Sequence, residues 1–116
     1  MIYVTLANDR EVINDLLISI LESSYSDFWV LYHKDNLEKG ASVYYELIDE
    51  HESMKLYDPE DPEEVWTLTK DKMIDGFRIL DDKNQKAFDR ISRGEWDAED
   101  ADQWLQYSLF QTIVFV

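Results

Sequence analysis

Residues 94–110 read GEWDAEDADQWLQYSLF, a segment in which five carboxylates precede a run with helical periodicity. The five acids are Glu95, Asp97, Glu99, Asp100 and Asp102. Carboxylates at a helix N-terminus accept hydrogen bonds from backbone N–H groups and lie at the positive end of the helix dipole. Asp97 therefore suits the N-cap of a helix over residues 98–111, with Asp100 at position N3. Capping also accommodates Glu99, but it requires neither Glu95 nor Asp102.

This predicted helix has two different faces. Small and apolar residues gather on the side that we expect to face the core: Ala98, Ala101, Trp104, Leu105, Ser108 and Leu109. The other side combines acids with two aromatic rings: Glu99, Asp100, Gln103, Tyr107 and Phe110. Rings beside acids are typical of a protein interface, where the rings anchor a partner and the acids select a basic one. The alternative is that another element covers the two rings.

The net charge limits the possible partners. The 116 residues include 26 acids and only 11 lysines and arginines, which gives a formal net charge of −15 at pH 7. Such a field repels DNA, RNA and anionic lipid, so we expect no direct nucleic-acid or membrane ligand. It attracts basic proteins instead. Solubility is the competing explanation of an acidic surface.

Cysteine is absent, and this excludes a disulfide framework, a thiolate zinc site and a cysteine nucleophile. The first residues, MIYVTLANDR, have neither the basic nor the apolar region of a secretory leader. No apolar run approaches the length of a membrane span. We therefore expect a cytoplasmic protein.

The hydrophobic pattern predicts a single compact α+β domain over residues 1–116. In it, a small antiparallel sheet of three to four strands packs against three to four helices. The predicted strands are Ile2–Leu6, Asp27–Lys34 and the stretch 64–69. The segment Ala41–Glu50 fits a strand or a helix, and we favour a strand that pairs with residues 28–33. The predicted helices span residues 10–24 after an Asn8 N-cap, 69–80 with Thr69 as N-cap, 85–94 ending at Gly94, and 98–111.

Two further acidic blocks lie outside the C-terminal helix. The larger one comprises Asp58, Glu60, Asp61, Glu63 and Glu64. It lies in YDPEDPEEV, residues 57–65, which we predict to be a loop because prolines do not fit a helix interior or a strand ladder. The smaller one comprises Asp49, Glu50 and Glu52. Carboxylates spaced several ångströms apart can imitate phosphates, so a basic groove for nucleic acid would accept this protein instead. A solvated loop is the competing explanation of each block.

No pattern in the chain points to catalysis. His33 and His51 lie on different segments without His or Cys at ligand spacing, and His33 suits a half-buried structural residue. The stretch DAEDAD lacks the glycine and terminal glutamate of a calcium loop. The three glycines are isolated, so no phosphate loop is present. We expect a protein that is not an enzyme, with no catalytic residue, metal or cofactor.

Two segments carry a resemblance. WDAEDADQWLQYSLFQTIVF (residues 96–115), together with VWTLTKDKMIDGF (residues 65–77), resembles small acidic proteins of bacterial phages and integrative elements. In size and charge the chain is also similar to the anti-CRISPR proteins, several of which inhibit Cas9 by occupying its DNA-binding surface. The resemblance implies an anti-defence inhibitor of a bacterial host cell that acts by binding. It assigns no individual residues.

The leading hypothesis is therefore an inhibitor of a basic nucleic-acid-handling enzyme, with the Cas9–guide RNA complex as first candidate. Cas9 reads its protospacer-adjacent motif with arginines inside a channel shaped for a polyanion. The predicted contact residues are Glu99, Asp100, Asp102, Tyr107 and Phe110, followed by the block from Asp58 to Glu64. The alternatives are an immunity protein against a basic toxin nuclease and a homodimeric regulatory protein that associates through exposed aromatic residues.

Overall fold

Six α-helices, three strands and one 3₁₀ helix make up the computed structural model, which describes all 116 residues. The helices are α1 (Ile2–Ala7), α2 (Arg10–Leu21), α3 (Tyr44–Glu50), α4 (Lys70–Lys83), α5 (Gln85–Ser92) and α6 (Ala98–Phe110). The strands are β1 (Leu31–Tyr32), β2 (Met54–Asp58) and β3 (Asp61–Leu68), and the 3₁₀ helix (Lys34–Lys39) follows β1. The antiparallel sheet and the separate helices confirm the α+β prediction.

The three strands form one antiparallel sheet in the order β1-β2-β3, so β3 is an edge strand. Residues that lie directly opposite each other share a face of the sheet. One row, which faces the core, is Tyr32, Leu56 and Trp66. The other row, which faces outward, is Leu31, Tyr57 and Val65. Leu56 is completely buried, whereas Val65 is 40% exposed.

The core is centred on the packing of α4 against α6. Gly76 allows these helices to approach, because a Cβ atom there would lie only 3.0 Å from the Cα of Ser108. The rings of Phe77 and Trp104 stack beside this contact, with 5.2 Å between their centroids, and both side chains are fully buried. Close backbone approach and ring stacking therefore fix the position of α6 against α4.

The capping signals of three helices were predicted correctly. Thr69 caps α4 by accepting a hydrogen bond from the backbone N–H of Lys72. Asp97 and Asp100 form the reciprocal capping box of α6. Gly94 follows α5 with φ +73°, a conformation that glycine adopts without strain. In α2 the N-cap is Asp9, not Asn8 as predicted, while the helix itself is confirmed.

Two predicted strands are helices. Residues 2–6 belong to α1, where Leu6 and Ala7 are buried and the Tyr3 hydroxyl donates to Asp81 at 2.7 Å. Residues 44–50 form α3, in which Tyr45, Leu47 and Ile48 are buried. Both segments are so short that their apolar residues fit either period, and packing against the neighbouring helices decides.

The strand predicted over Asp27–Lys34 is mostly a turn. Only Leu31 and Tyr32 pair with β2. The backbone N–H groups of Trp29 and Val30 both donate to the carbonyl of Ser26, which closes a turn before the strand begins. These two N–H groups are satisfied locally and are therefore not available to the sheet.

The loop predicted over residues 57–65 is also wrong, because β2 and β3 extend into it as a hairpin. Pro59 and Glu60 form the turn. Asp58 pairs with Asp61 and Tyr57 pairs with Val65, so three residues of β3 bulge between consecutive pairs. Pro62 is one of them. It is tolerated because an edge strand has positions whose N–H group needs no partner.

Candidate functional site

The strongest concentration of free negative charge lies on this hairpin. We call the set Asp58, Glu60, Asp61, Glu63 and Glu64 the acidic hairpin. All of its side chains except Asp58 are exposed. The Asp58 carboxylate accepts a hydrogen bond of 2.8 Å from the backbone N–H of Glu60 and so holds the tight turn. The other four carboxylates are presented to solvent by a turn and an edge strand.

None of the acidic-hairpin carboxylates is in an ion pair. Seven of the eleven lysines and arginines are paired with acids elsewhere in the molecule. One of these pairs, Lys70–Asp49 at 2.8 Å, neutralises part of the smaller acidic block. These seven basic side chains therefore compensate other acids, and none of them forms an ion pair with the hairpin.

A partly apolar groove, lined by residues of the sheet and of the 3₁₀ helix, adjoins the acidic hairpin. Its volume is about 460 Å³. We call it the outer groove, and its lining residues are Tyr32, His33, Lys34, Leu37, Tyr57 and Pro62. Leu37 is 72% exposed, and the rings of His33 and Tyr57 meet edge-to-face at 5.7 Å. An apolar centre beside a charged rim is the usual anatomy of a protein interface.

Two of the three acids of α6, Asp100 and Asp102, do not contribute to such a surface. Asp102 is 6% exposed. Its Oδ2 accepts hydrogen bonds from Ser26 and from the Trp29 indole, both at 2.7 Å, and its Oδ1 accepts one from Gln106 at 2.7 Å. Three donors surround this carboxylate, so its role is to hold residues 26–29 against α6. The expectation that Asp102 contacts a partner is wrong.

Asp100 is likewise internal, at 2% exposure. The Arg90 guanidinium donates to both of its oxygens at 2.7 Å, and the pKa of Arg90 is raised chiefly by this hydrogen bonding to Asp100. Asp100 also accepts from the N-cap N–H of Asp97. The carboxylate therefore joins α5 to α6, and its assignment to a binding face is also wrong.

Phe110 and Tyr107 are half-buried against the core, which makes covering by other elements the correct alternative. The Phe110 ring lies 5.0 Å from that of Trp66, 5.9 Å from that of Trp29 and 5.8 Å from that of Phe115. This cluster closes one end of the sheet against α6. Of the five predicted contact residues on this helix, only Glu99 is fully exposed.

Exposed rings do lie near Glu99, but they come from another segment. Tyr25 and Phe28 are each 48% exposed, on the turn that Asp102 holds. The pKa of Tyr25 is raised by burial first and then by the negative charges of Glu99, Asp102 and Asp97. Sequence reasoning missed this turn, although the pattern SSYSDF, in which small polar residues separate the two rings, was a usable signal of exposure.

Neither histidine belongs to a cluster of metal-binding side chains. His33 is half-buried, and its Nδ1 accepts from the N–H of Asp35, which confirms a structural role. No group of three or more His, Asp or Glu side chains is placed to hold a metal ion. No helix has the length and apolarity needed to cross a membrane.

No protein-family model, curated protein or solved structure matches this chain.

Proposed function

We propose that this protein is a binding inhibitor whose acidic hairpin occupies the nucleic-acid groove of a basic enzyme. The first candidate is the Cas9–guide RNA complex of a bacterial host. The observation that supports the proposal is the hairpin itself: four exposed carboxylates, without any ion pair, on a turn and the edge strand that follows it.

The spacing of these charges suits a phosphate-binding groove. Asp61, Glu63 and Glu64 place three carboxylates on four consecutive residues of β3. An extended chain advances about 3.3 Å per residue, so the three carboxylates span about 10 Å with a mean spacing of about 5 Å along the strand. One strand of DNA carries one phosphate per about 3.4 Å of helix axis. Arginines placed for phosphates would thus meet carboxylates at a similar density.

The outer groove supplies apolar contact area that the charges of the hairpin do not provide. Surface ion pairs contribute only about 0–1 kcal/mol each, so a purely electrostatic contact would be weak and unspecific. Leu37, Tyr57 and Pro62 offer apolar area next to the acids. In the proposed complex an apolar side chain of the enzyme enters this groove while its basic residues contact the hairpin.

The test is direct binding to guide-loaded Cas9 at two salt concentrations, followed by competition with labelled target DNA. Binding is measured directly because the affinity of DNA also falls as salt rises. We expect this protein to displace the DNA from Cas9. Its binding to Cas9 should weaken at the higher salt concentration because the charges are screened. The triple variant E60Q/E63Q/E64Q should bind at least about tenfold more weakly, because three charge pairs are lost.

The matched control is D15N/E50Q/E52Q, which removes the same charge from three exposed acids outside ion pairs. It should bind as the parent does, since only the overall charge has changed. If both triple variants lost the same amount of affinity, the loss would be due to net charge alone, and the assignment of binding to the hairpin would be contradicted. If the protein did not bind Cas9, Cas9 would be excluded as its target. Binding to a basic toxin nuclease would then favour an immunity protein.

A further inference from the structure

A second cavity, of about 310 Å³, lies between the end of α2 and the start of α3, on the β1 side of the sheet. β1 and β3 are the opposite edges of that sheet, so this cavity lies away from the acidic hairpin, although it shares Tyr32 with the outer groove. Its lining includes Asn14 and Glu22 together with the rings of Tyr32 and Tyr44. Eight residues line it, and none is lysine or arginine.

No cation compensates the charge in this cavity, where the Tyr44 hydroxyl is hydrogen-bonded to Glu22. Glu22 is the C-cap of α2, whose last turn contains no basic residue, and it belongs to no ion pair. An acid at a helix C-terminus lies at the negative end of the dipole, where a cation is favoured. The Oδ1 of Asn14 is buried without a hydrogen-bond donor. Both features indicate a missing group that is positively charged and carries N–H donors.

Two aromatic rings complete the cavity. The Tyr32 and Tyr44 rings meet edge-to-face at 5.3 Å between centroids. Burial and the neighbouring Glu22 raise the pKa of Tyr44, so its hydroxyl is neutral at physiological pH. Faces of neutral aromatic rings attract cations, and a planar guanidinium stacks on them better than an ammonium does.

The protein contains the same arrangement with its cation present. Next to Tyr44 in the chain, the ring of Tyr45 lies 5.4 Å from the Lys70 ammonium, which pairs with Asp49 at 2.8 Å. This trio combines a ring, a carboxylate and a cation. Tyr44 and Glu22 provide the first two components, and no side chain of the protein provides the third.

We propose that this cavity is a receptor for one arginine side chain of a basic protein partner, with its guanidinium on the Glu22 carboxylate and against the rings of Tyr32 and Tyr44. The assignment is independent of which enzyme meets the acidic hairpin. The net charge of −15 favours approach of such a partner.

The test uses N-acetyl-arginine methylamide as the probe and the corresponding citrulline derivative as its neutral isostere. Binding is followed by NMR shifts of the Asn14 side-chain amide and of the Tyr32 and Tyr44 rings. We expect a dissociation constant on the order of 1 mM for the arginine probe and binding at least about tenfold weaker for citrulline. Glu22→Gln should weaken the arginine probe about fivefold or more, whereas the control Glu50→Gln, also exposed and at a helix end, should not.

Equal binding of arginine and citrulline, or no effect of Glu22→Gln, would overturn the proposal. Free arginine should bind no more tightly than the blocked probe, because the proposed receptor contacts only the side chain. If it instead bound tenfold more tightly, the cavity would serve a small molecule and the partner assignment would be wrong. The hairpin variant E60Q/E63Q/E64Q should bind the probe normally, which separates a failure here from a failure of the proposed inhibition.

Discussion

The start of α6 and the acidic hairpin each carry several carboxylates within a few residues, but their surroundings differ. Asp100 and Asp102 are buried, and each of their four oxygens accepts at least one hydrogen bond. Glu63 and Glu64 are exposed and have no hydrogen-bond or ion-pair partner. The α6 acids connect elements of the fold, while the hairpin acids are available to another molecule.

This difference shows how a net charge should be related to function. A buried carboxylate surrounded by donors adds to the formal charge of −15 but not to a binding surface. An acidic cluster is evidence for a partner only if its carboxylates are not already bonded inside the protein. By this criterion the best candidate for a binding surface is the acidic hairpin and not α6.

The largest effect that follows from this comparison is the loss of Asp102. Asp102→Ala would leave the donors of Ser26, Trp29 and Gln106 facing an apolar methyl group. Because buried donors without acceptors each cost about 1–3 kcal/mol, we expect the free energy of unfolding to fall by about 3 kcal/mol or more. Urea denaturation measures this directly.

Two variants make that measurement specific. Asp102→Asn keeps the shape but turns one oxygen into a donor, so a smaller loss of about 1–3 kcal/mol is expected. Glu99→Gln changes a neighbouring exposed acid and should alter stability by about 0.5 kcal/mol at most. If both Asp102 variants unfolded as the parent does, the carboxylate would not be part of the internal structure.

The hairpin triple variant E60Q/E63Q/E64Q should behave oppositely. Since no internal partner is lost, its free energy of unfolding should stay within about 0.5 kcal/mol of the parent, with a rise if the repulsion between the acids is relieved. The same urea titration applies. A loss above 1 kcal/mol would show that these acids have a structural role.

The triple variant also tests the competing explanation of the hairpin. Charges and a proline on an edge strand prevent pairing with other chains, so protection of β3 would account for Glu63, Glu64 and Pro62 without any partner. In that case the variant should self-associate in sedimentation experiments yet inhibit normally. The binding proposal expects inhibition to weaken while the protein stays monodisperse.

The fold class and the long helices were predictable from the sequence because their signals are local. In α2, α4 and α6 the apolar residues recur over several turns, and caps such as Thr69 and Asp97 satisfy backbone groups next to them in the chain. Short segments lack that redundancy. In α1, Ile2, Val4 and Leu6 alternate as in a strand, whereas Tyr3 and Leu6 are spaced as in a helix. A hydrogen bond from Tyr3 to distant Asp81 supports the helix.

The site was only partly predictable for a related reason. Which acids are buried depends on partners far away in sequence: Ser26 and Trp29 reach Asp102 across more than 70 residues. The hairpin block was identified as a candidate, but its prolines led to a loop prediction. The two strands tolerate them because Pro59 lies in the turn and Pro62 lies at a free edge.

The smallest expected effect compares the two regions through one reporter, Tyr25. Its pKa is raised by burial and by the acids at the start of α6, so Glu99→Gln should lower that pKa slightly, whereas E60Q/E63Q/E64Q should leave it unchanged. Because the pKa of Tyr25 is raised in the folded state, the protonated Tyr25 hydroxyl contributes to the stability of the fold. This contribution is complete below the ordinary tyrosine pKa of about 10 and is lost as the pH rises through the pKa of the folded state. Alkaline titration of the Tyr25 ring by NMR, with Tyr25→Phe to assign the signal, measures the shift in each variant. A shift caused by the hairpin variant would mean that the field of the hairpin extends to the first turn of α6 and that the two acidic regions act as one surface.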